Sequence, residues 1–174
     1  MNNPTEFYFT QKQALEKEAV VLKKKLINLG IFRLFVFIGT SFLIYLTFGS
    51  YPDVFIIAFL GVFLFSYLVF KYINLKREKA IIDSKIDIVS TEIKVLNNNF
   101  HHLDPGSEFI NPSHFFSNDI DLFGKGSFFQ YTNRTATIEG KKVLATLLTE
   151  NNTEHILEKQ EAIEELSKKV KWRQ

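Results

Sequence analysis

Two glycine–lysine pairs, Gly124-Lys125 and Gly140-Lys141, are the nearest this sequence comes to a phosphate-binding loop. A nucleotide loop of the G-x-x-x-x-G-K-[ST] type needs a hydroxyl directly after the lysine. Its backbone amides cradle the phosphates, its lysine neutralises them and its hydroxyl holds Mg²⁺. The residue after the lysine is Gly126 in one pair and Lys142 in the other, and Thr135 stands where the second pair would need its first glycine. Neither pair is such a loop. His101, His102, Asp104 and His114 are close in sequence and of metal-ligating type, but no helical H-x-x-x-H spacing joins them, so they read as solvated loop residues. Asp119 and Asp121 are paired carboxylates without a neighbouring base. With no cysteine, thiol catalysis, disulfides and cysteine-ligated zinc are excluded. A net charge of +2 gives no electrostatic reason to expect nucleic acid. The expectation is a chain with no catalytic, cofactor or metal site of its own.

The elements explain the chain better than its chemistry does. Over 174 residues the mean hydropathy is +0.01, the value of an ordinary soluble domain, but the content is segregated. Residues 31–48 read IFRLFVFIGTSFLIYLTF, and residues 54–70 read VFIIAFLGVFLFSYLVF with no charge at all. As helices these runs reach roughly 25–27 Å, close to the ~30 Å of a bilayer's hydrocarbon core. Tyr51, Tyr67 and Tyr72 are placed to occupy the interface, extending the second span to about residue 72. Arg33 would be costly at mid-membrane, yet near the end of its run its stem can snorkel to the headgroups. A cleaved signal peptide does not fit, since about 30 mostly polar residues precede the first run and a second follows at once. A buried hairpin of a soluble protein fits poorly, because each run is apolar on all faces.

Gly49-Ser50-Tyr51-Pro52-Asp53 joins the runs, a connection short enough to make them antiparallel neighbours. Lys23, Lys24, Lys25 and Arg33 flank the first span, and Lys71, Lys76, Arg77 and Lys79 follow the second, while the joining loop has no cation. The positive-inside rule then places both termini in the cytoplasm of a cell whose inner membrane the chain crosses twice. Arg33, Lys71, Lys76 and Arg77 are the topology-setting residues. The lysine triplet has a second reading, contact with anionic lipid.

Upstream, Leu15, Ala19, Leu22, Leu26 and Leu29 make one apolar stripe. Downstream, Leu75, Ile82, Ile86, Val89, Ile93 and Leu96 make another, with Lys79 on the seam. Paired, the stripes predict an antiparallel cytoplasmic stalk, continuous with the membrane hairpin, that ends at Asn97-Asn98-Asn99; a stripe of this length could also drive a homodimer.

After residue 100 the texture changes to turns and short helices. Ser127 is placed to cap a helix through Phe128, Phe129 and Tyr131, and Thr137 a helix with Val143, Leu144, Leu147 and Leu148 on its apolar side. Thr153 with Glu154 is placed to open a last helix striped by Ile156, Ile163, Leu166 and Val170. At about 74 residues this segment is marginal as an independent domain.

The run 119–135, DIDLFGKGSFFQYTNRT, followed by TIEGKKVL at 137–144 and ILEKQEAIEEL at 156–166, resembles the start of the core (lever) region of MutS-type DNA mismatch repair proteins. The order of a polar helix, two spans, a stalk and this motif is similar to MutS-related bacterial proteins that carry an N-terminal membrane hairpin. Lys142, the Leu147-Leu148 pair and Asn151-Asn152 depart from the family's usual residues. The resemblance implies DNA binding and ATP hydrolysis with Mg²⁺, both by downstream domains that this chain lacks, so the chain reads as part of a longer protein. The motif itself reads as structural. Gly124, Gly126 and Gly140 permit turns, Ser127 and Thr137 cap helices, and Asn133, Arg134 and Thr135 fix a corner. A weaker reading gives Arg134, Lys141 and Lys142 a nucleic-acid contact, without the aromatic platform that would strengthen it.

The fold expected is therefore all-α: an amphipathic helix at 1–30, a transmembrane hairpin at 31–72, a stalk helix at 73–100, and the first short helices of a MutS-type lever at 101–174. The partners expected are the lipid bilayer, DNA through the missing domains, and a second copy of the chain. The alternative function is a small two-span scaffold that recruits a protein partner through its stalk, without nucleotide or DNA chemistry.

Overall fold

The computed structural model describes residues 3–49, 51–150 and 154–169. It is all-helical, with 75% helix and no strand among the described residues. Two units divide the chain, Met1–Ser90 and Thr91–Gln174.

Helix α1 spans Pro4–Leu46. The Asn3 side chain accepts from the Thr5 amide at 3.1 Å, and Pro4 sits in the first turn, where its missing N–H leaves nothing unpaired. The amphipathic stretch read to residue 30 and the span read from 31 run on as one unbroken helix in α1. Gly30 and Gly39 each lower propensity by only about 1 kcal/mol. The strong helix formers around them outweigh that. Helix α2, Tyr51–Leu96, likewise fuses the expected second span and stalk. It starts at Tyr51 because Pro52 is tolerated in a first turn and Asp53 favours the positive end of the helix. The joining segment is thereby shorter than the one read from the sequence, and Ser50 lies outside the described residues. At about 65–70 Å each, both helices are far longer than a ~30 Å hydrocarbon core.

One seam runs the length of each helix. On α1 the shielded positions Leu15, Ala19, Leu22, Leu26 and Leu29 continue through Arg33, Val36, Thr40 and Ile44. On α2 the same spacing runs from Val54 through Ala58, Gly61, Phe65, Leu68 and Tyr72 to Leu75, Lys79, Ile82, Ile86 and Val89. Off the seam the apolar runs are bare. Eleven large hydrophobic residues in 31–48 and nine in 54–70 are exposed, among them Phe35, Phe59 and Phe63. Leaving side chains of this size in water forgoes roughly 1.5–3 kcal/mol apiece, a sum that no ordinary domain stability could offset. Both helices are long and apolar enough to cross a membrane.

In the second unit, Asn97 to Asn99 close α2: Asn98 is left-handed at φ 58° and the Asn99 amide donates to the Lys94 carbonyl at 2.9 Å. Val95 is buried there and Leu96 is exposed, the reverse of the stripe read from the sequence, because the packed unit approaches the last turn from the side of Val95. A 3₁₀ turn at Ser107–Phe109 precedes three helices: α3 (Phe128–Thr132), α4 (Ile138–Thr149) and α5 (Ile156–Lys168). The core is small, comprising Val95, Leu122, Phe129 and Ala145, with Phe109 and Phe123 ringed around Phe129 at centroid distances of 5.7 and 5.3 Å. On α4 it is Ala145 that is buried, while Val143 and Leu147 are exposed, so only half of the expected apolar side is covered. Helix α5 opens at Ile156 behind a left-handed His155, two residues later than expected, with Glu154 in the preceding turn. Its Ile156, Ile163 and Leu166 are exposed. Asn151, Asn152, Thr153 and Val170 lie outside the described residues.

Candidate functional site

Of the four topology-setting cations, Lys71, Lys76 and Arg77 are exposed on α2 and carry no ion pair among the described residues. Arg33 is different. It occupies a seam position of α1, half-buried, with its guanidinium carbon 5.1 Å from the centre of the Tyr72 ring and 5.8 Å from that of Phe65. Tyr72 and Phe65 are seven residues apart on α2 and therefore share a face. Deeper along the seam, Gly61 meets Thr40 so closely that a Cβ on Gly61 would lie 2.3 Å from the threonine methyl. The Thr40 hydroxyl is turned back onto its own helix, donating to the Val36 carbonyl at 2.7 Å. A cavity of about 320 Å³ opens beside this contact, lined by Val36, Ile44, Ala58 and Phe65 among others.

The motif residues of the second unit converge on a side chain that the sequence reading passed over. Gln130 is buried, and its Oε1 accepts from the Gly126 amide at 2.7 Å. Its Nε2 donates to the carbonyls of Leu103 at 2.6 Å and His101 at 3.1 Å. Ser127, also buried, caps α3 by accepting from the Gln130 amide at 3.1 Å. Ser127 and Gln130 thus form the S-x-x-Q pattern of a capping box, a local signal that could have found Gln130. The expected reciprocal bond is shifted by one residue, to Gly126, whose φ of 81° turns its amide toward the amide oxygen. Gly106 is the other glycine with a strict role. At φ 64° it lies against Phe129, and a Cβ there would sit 2.6 Å from the ring. Gly140 corrects the sequence reading: it is an ordinary helical residue whose amide donates to the Thr137 hydroxyl at 3.0 Å, not a turn glycine.

Asn133, Arg134 and Thr135 do meet at a corner. The buried Asn133 accepts at Oδ1 from the Thr135 amide at 3.0 Å and hydroxyl at 2.7 Å. Arg134 Nε donates to Glu92 at 2.7 Å, and its Nη1 to the carbonyls of Tyr131 and Asn133, both at 2.9 Å. Glu92 had no local signal, being 42 residues away in sequence. Lys141 is held between Asp104, at 2.7 Å, and Glu108. Of the three cations weighed for nucleic acid, two therefore carry carboxylate partners. Lys142 has none among the described residues and lines a shallow cavity of about 440 Å³ with Phe109, His114, Ser117 and Phe123.

The Lys141 ammonium holds the Asp104 carboxyl below the usual carboxylate range, helped by the Gly106 amide, which donates to it at 2.9 Å. It lowers Glu108 in the same way, and the two carboxylates, Asp104 foremost, raise the lysine. Carboxylates with depressed folded-state values stabilise the loop above their unfolded values and lose that contribution as the pH falls through the folded ones. The raised lysine contributes throughout the neutral range. The 104–108 staple should therefore hold at neutral pH and open only in acid, below about pH 4. Exchange of the Gly106 amide, compared with an unstructured peptide at each pH, should lose its protection on acidification and should be unprotected at pH 7 in Lys141→Met. Protection that stays the same from pH 7 down to the point where both carboxylates are protonated would contradict this role.

In the Gly124–Gly126 turn the Gly124 amide donates to the Pro105 carbonyl and the Gly126 amide to Gln130, so neither of these two is turned to a phosphate. His114 Nδ1 accepts from the Ser117 amide, and among the described residues no group of three His, Asp or Glu side chains gathers as a metal would require. Compared with family models, with curated proteins and with solved structures, the chain matches none.

Proposed function

We propose that this chain is the membrane anchor and the opening of the core of a MutS-like, DNA-binding ATPase, which it tethers to the cytoplasmic face of the inner membrane. The observation that carries the reading is the abrupt division of the chain between two helices with bare apolar flanks and a polar unit organised by its motif residues. Helix pairing is antiparallel in this reading, supported by contacts that run in opposite senses: Arg33 reaches Phe65 and Tyr72, while the later residue Thr40 reaches the earlier Gly61. The cations at the far ends of the apolar runs then lie on one side of the bilayer and, by the positive-inside rule, in the cytoplasm. Residues 119–140 act as a scaffold at the entrance to the lever, since Ser127, Gln130, Asn133 and Arg134 all bond within the unit. This chain performs no catalysis.

Translation of the reading frame beyond Gln174 tests the proposal. A G-x-x-x-x-G-K-[ST] loop roughly 200 or more residues downstream is expected, and a stop codon at Gln174 would refute the tethered ATPase. That outcome would favour the two-span scaffold, for which the exposed Ile156, Ile163 and Leu166 of α5 supply a surface for a protein partner. A reporter fused after Gln174 should be active in the cytoplasm; periplasmic activity would overturn the orientation.

A further inference from the structure

We infer that Arg33, set on the Tyr72 and Phe65 rings, binds the headgroup phosphate of an anionic phospholipid. The inference rests on the reading of α1 and α2 as membrane spans and names the lipid that the anchor would hold. No Asp or Glu occurs in residues 19–52 or in residues 54–77, whereas these stretches carry Lys23, Lys24, Lys25, Arg33, Lys71, Lys76 and Arg77. None of the seven has an ion pair or hydrogen bond to a carboxylate among the described residues. This cluster of cations, at one end of two apolar runs, has no anion set against it among the described residues.

Arg33 is the member with a built environment. Ring contacts at 5.1 and 5.8 Å hold a cation by its face, and they compete little for the in-plane N–H groups of a guanidinium. Those donors form a rigid fork that matches two phosphate oxygens, which the point charge of a lysine does not. The surroundings choose the source of the phosphate. Phe32, Leu34 and Phe35, on either side of Arg33, are all exposed, so an anion reaching this guanidinium lies among apolar side chains. Acyl chains satisfy those side chains and a free phosphate does not. The remaining cations lie toward the ends of the runs, where they add charge attraction to an anionic surface.

The test uses the full chain, purified in a neutral detergent and titrated with phosphatidylglycerol, with phosphatidylcholine or with inorganic phosphate, with retained molecules counted by native mass spectrometry. Phosphatidylglycerol should be retained in preference to phosphatidylcholine, and inorganic phosphate should not be retained. Arg33→Gln should weaken phosphatidylglycerol retention by about fivefold, the worth of one interfacial cation, and leave phosphatidylcholine unchanged. Arg33→Lys should fall between, because it keeps the charge and loses the fork. Tyr72→Leu, which leaves every charge in place, should weaken retention in the same direction and guards against a variant that misfolds. Unchanged retention in both Arg33→Gln and Tyr72→Leu overturns the inference, as does equal binding of inorganic phosphate. Carbonate-resistant association of each variant with membranes is measured alongside. Extraction of the unmodified chain by carbonate would sink the membrane reading and this inference with it, whereas firm insertion with unchanged lipid retention sinks the inference alone.

Discussion

Replacing Gln130 with leucine should unfold the packed part of the second unit while leaving α1 and α2 helical. The substitution keeps the volume and removes one acceptor and the donor of two bonds. Left behind are the Gly126 amide and the carbonyls of Leu103 and His101, for which the described residues offer no other partner. Gly126 and His101 are exposed and Leu103 is half-buried, so water replaces part of each bond, and the loss is three net hydrogen bonds of about 0.5–1.5 kcal/mol each, roughly 2–4 kcal/mol together. A hydrophobic core of this size supplies rarely more than about 3–5 kcal/mol, so the loss takes most of what the unit has. Hydrogen exchange of the full chain in micelles, read over residues 122–149, should show protection in the unmodified protein and none in Gln130→Leu. Gln130→Glu sharpens the test. Its carboxylate still accepts from Gly126 but sets an anionic oxygen against two carbonyls, so it too should be unprotected at neutral pH. In acid the protonated carboxyl donates to one carbonyl, and partial protection should return. A Gln130→Leu chain as protected as the parent would show that packing around Phe129, not this amide, organises the unit.

Gln130 also marks where sequence reading stops being sufficient. The seam of unit one was legible because a helix repeats its faces every three or four residues, so Leu15 to Leu29 and Leu75 to Val89 announced themselves by spacing alone. The caps at Ser127 and Thr137 were legible for the same local reason: a hydroxyl reaches an amide three residues on. What could not be read were bonds closed across the chain. Lys141 reaches Asp104 over 37 residues and Gln130 reaches His101 over 29, and no periodicity encodes either. The stalk was expected to be continuous with the apolar hairpin, and α1 and α2 are each unbroken. The change from charged to apolar residues at 31 and back again at 71 is a change of composition, not of helix. Backbone hydrogen bonding is indifferent to that boundary, so α1 and α2 run through it. The amphipathic helices α4 and α5 show the converse limit, since amphipathicity says which side wants covering and not whether this unit covers it.

The second large effect is expected where the two long helices meet closely at Gly61 and Thr40. Gly61→Val puts a branched side chain where even a Cβ would stand 2.3 Å from the Thr40 methyl and 2.8 Å from its hydroxyl oxygen. Thr40 cannot swing aside without cost, because it is β-branched on a helix and its hydroxyl is bonded to the Val36 carbonyl at 2.7 Å. Apolar side chains lose little on moving from a helix partner to lipid, so pairing inside a bilayer depends on close packing more than on the hydrophobic effect. The helices should therefore separate locally rather than compress. Because the chain contains no cysteine, a pair introduced at Ile44→Cys and Ala58→Cys, two positions that line the same cavity, reports on the contact directly. Oxidation in vesicles should form the disulfide readily in the parent and at least about tenfold more slowly with Gly61→Val, the difference of about 1.4 kcal/mol that one overpacked site exceeds. Shaving the opposing residue supplies the control: Thr40→Ala alone should leave cross-linking near the parent rate, and Gly61→Ala should be tolerated with Thr40→Ala better than without it. That coupling has a sign no general destabilisation would produce, since two independent lesions add and a relieved clash does not. Equal cross-linking in Gly61→Val and the parent would mean that the pair is held elsewhere along the seam, by Leu22, Leu68, Ile82 and Val89, which are its most deeply buried side chains.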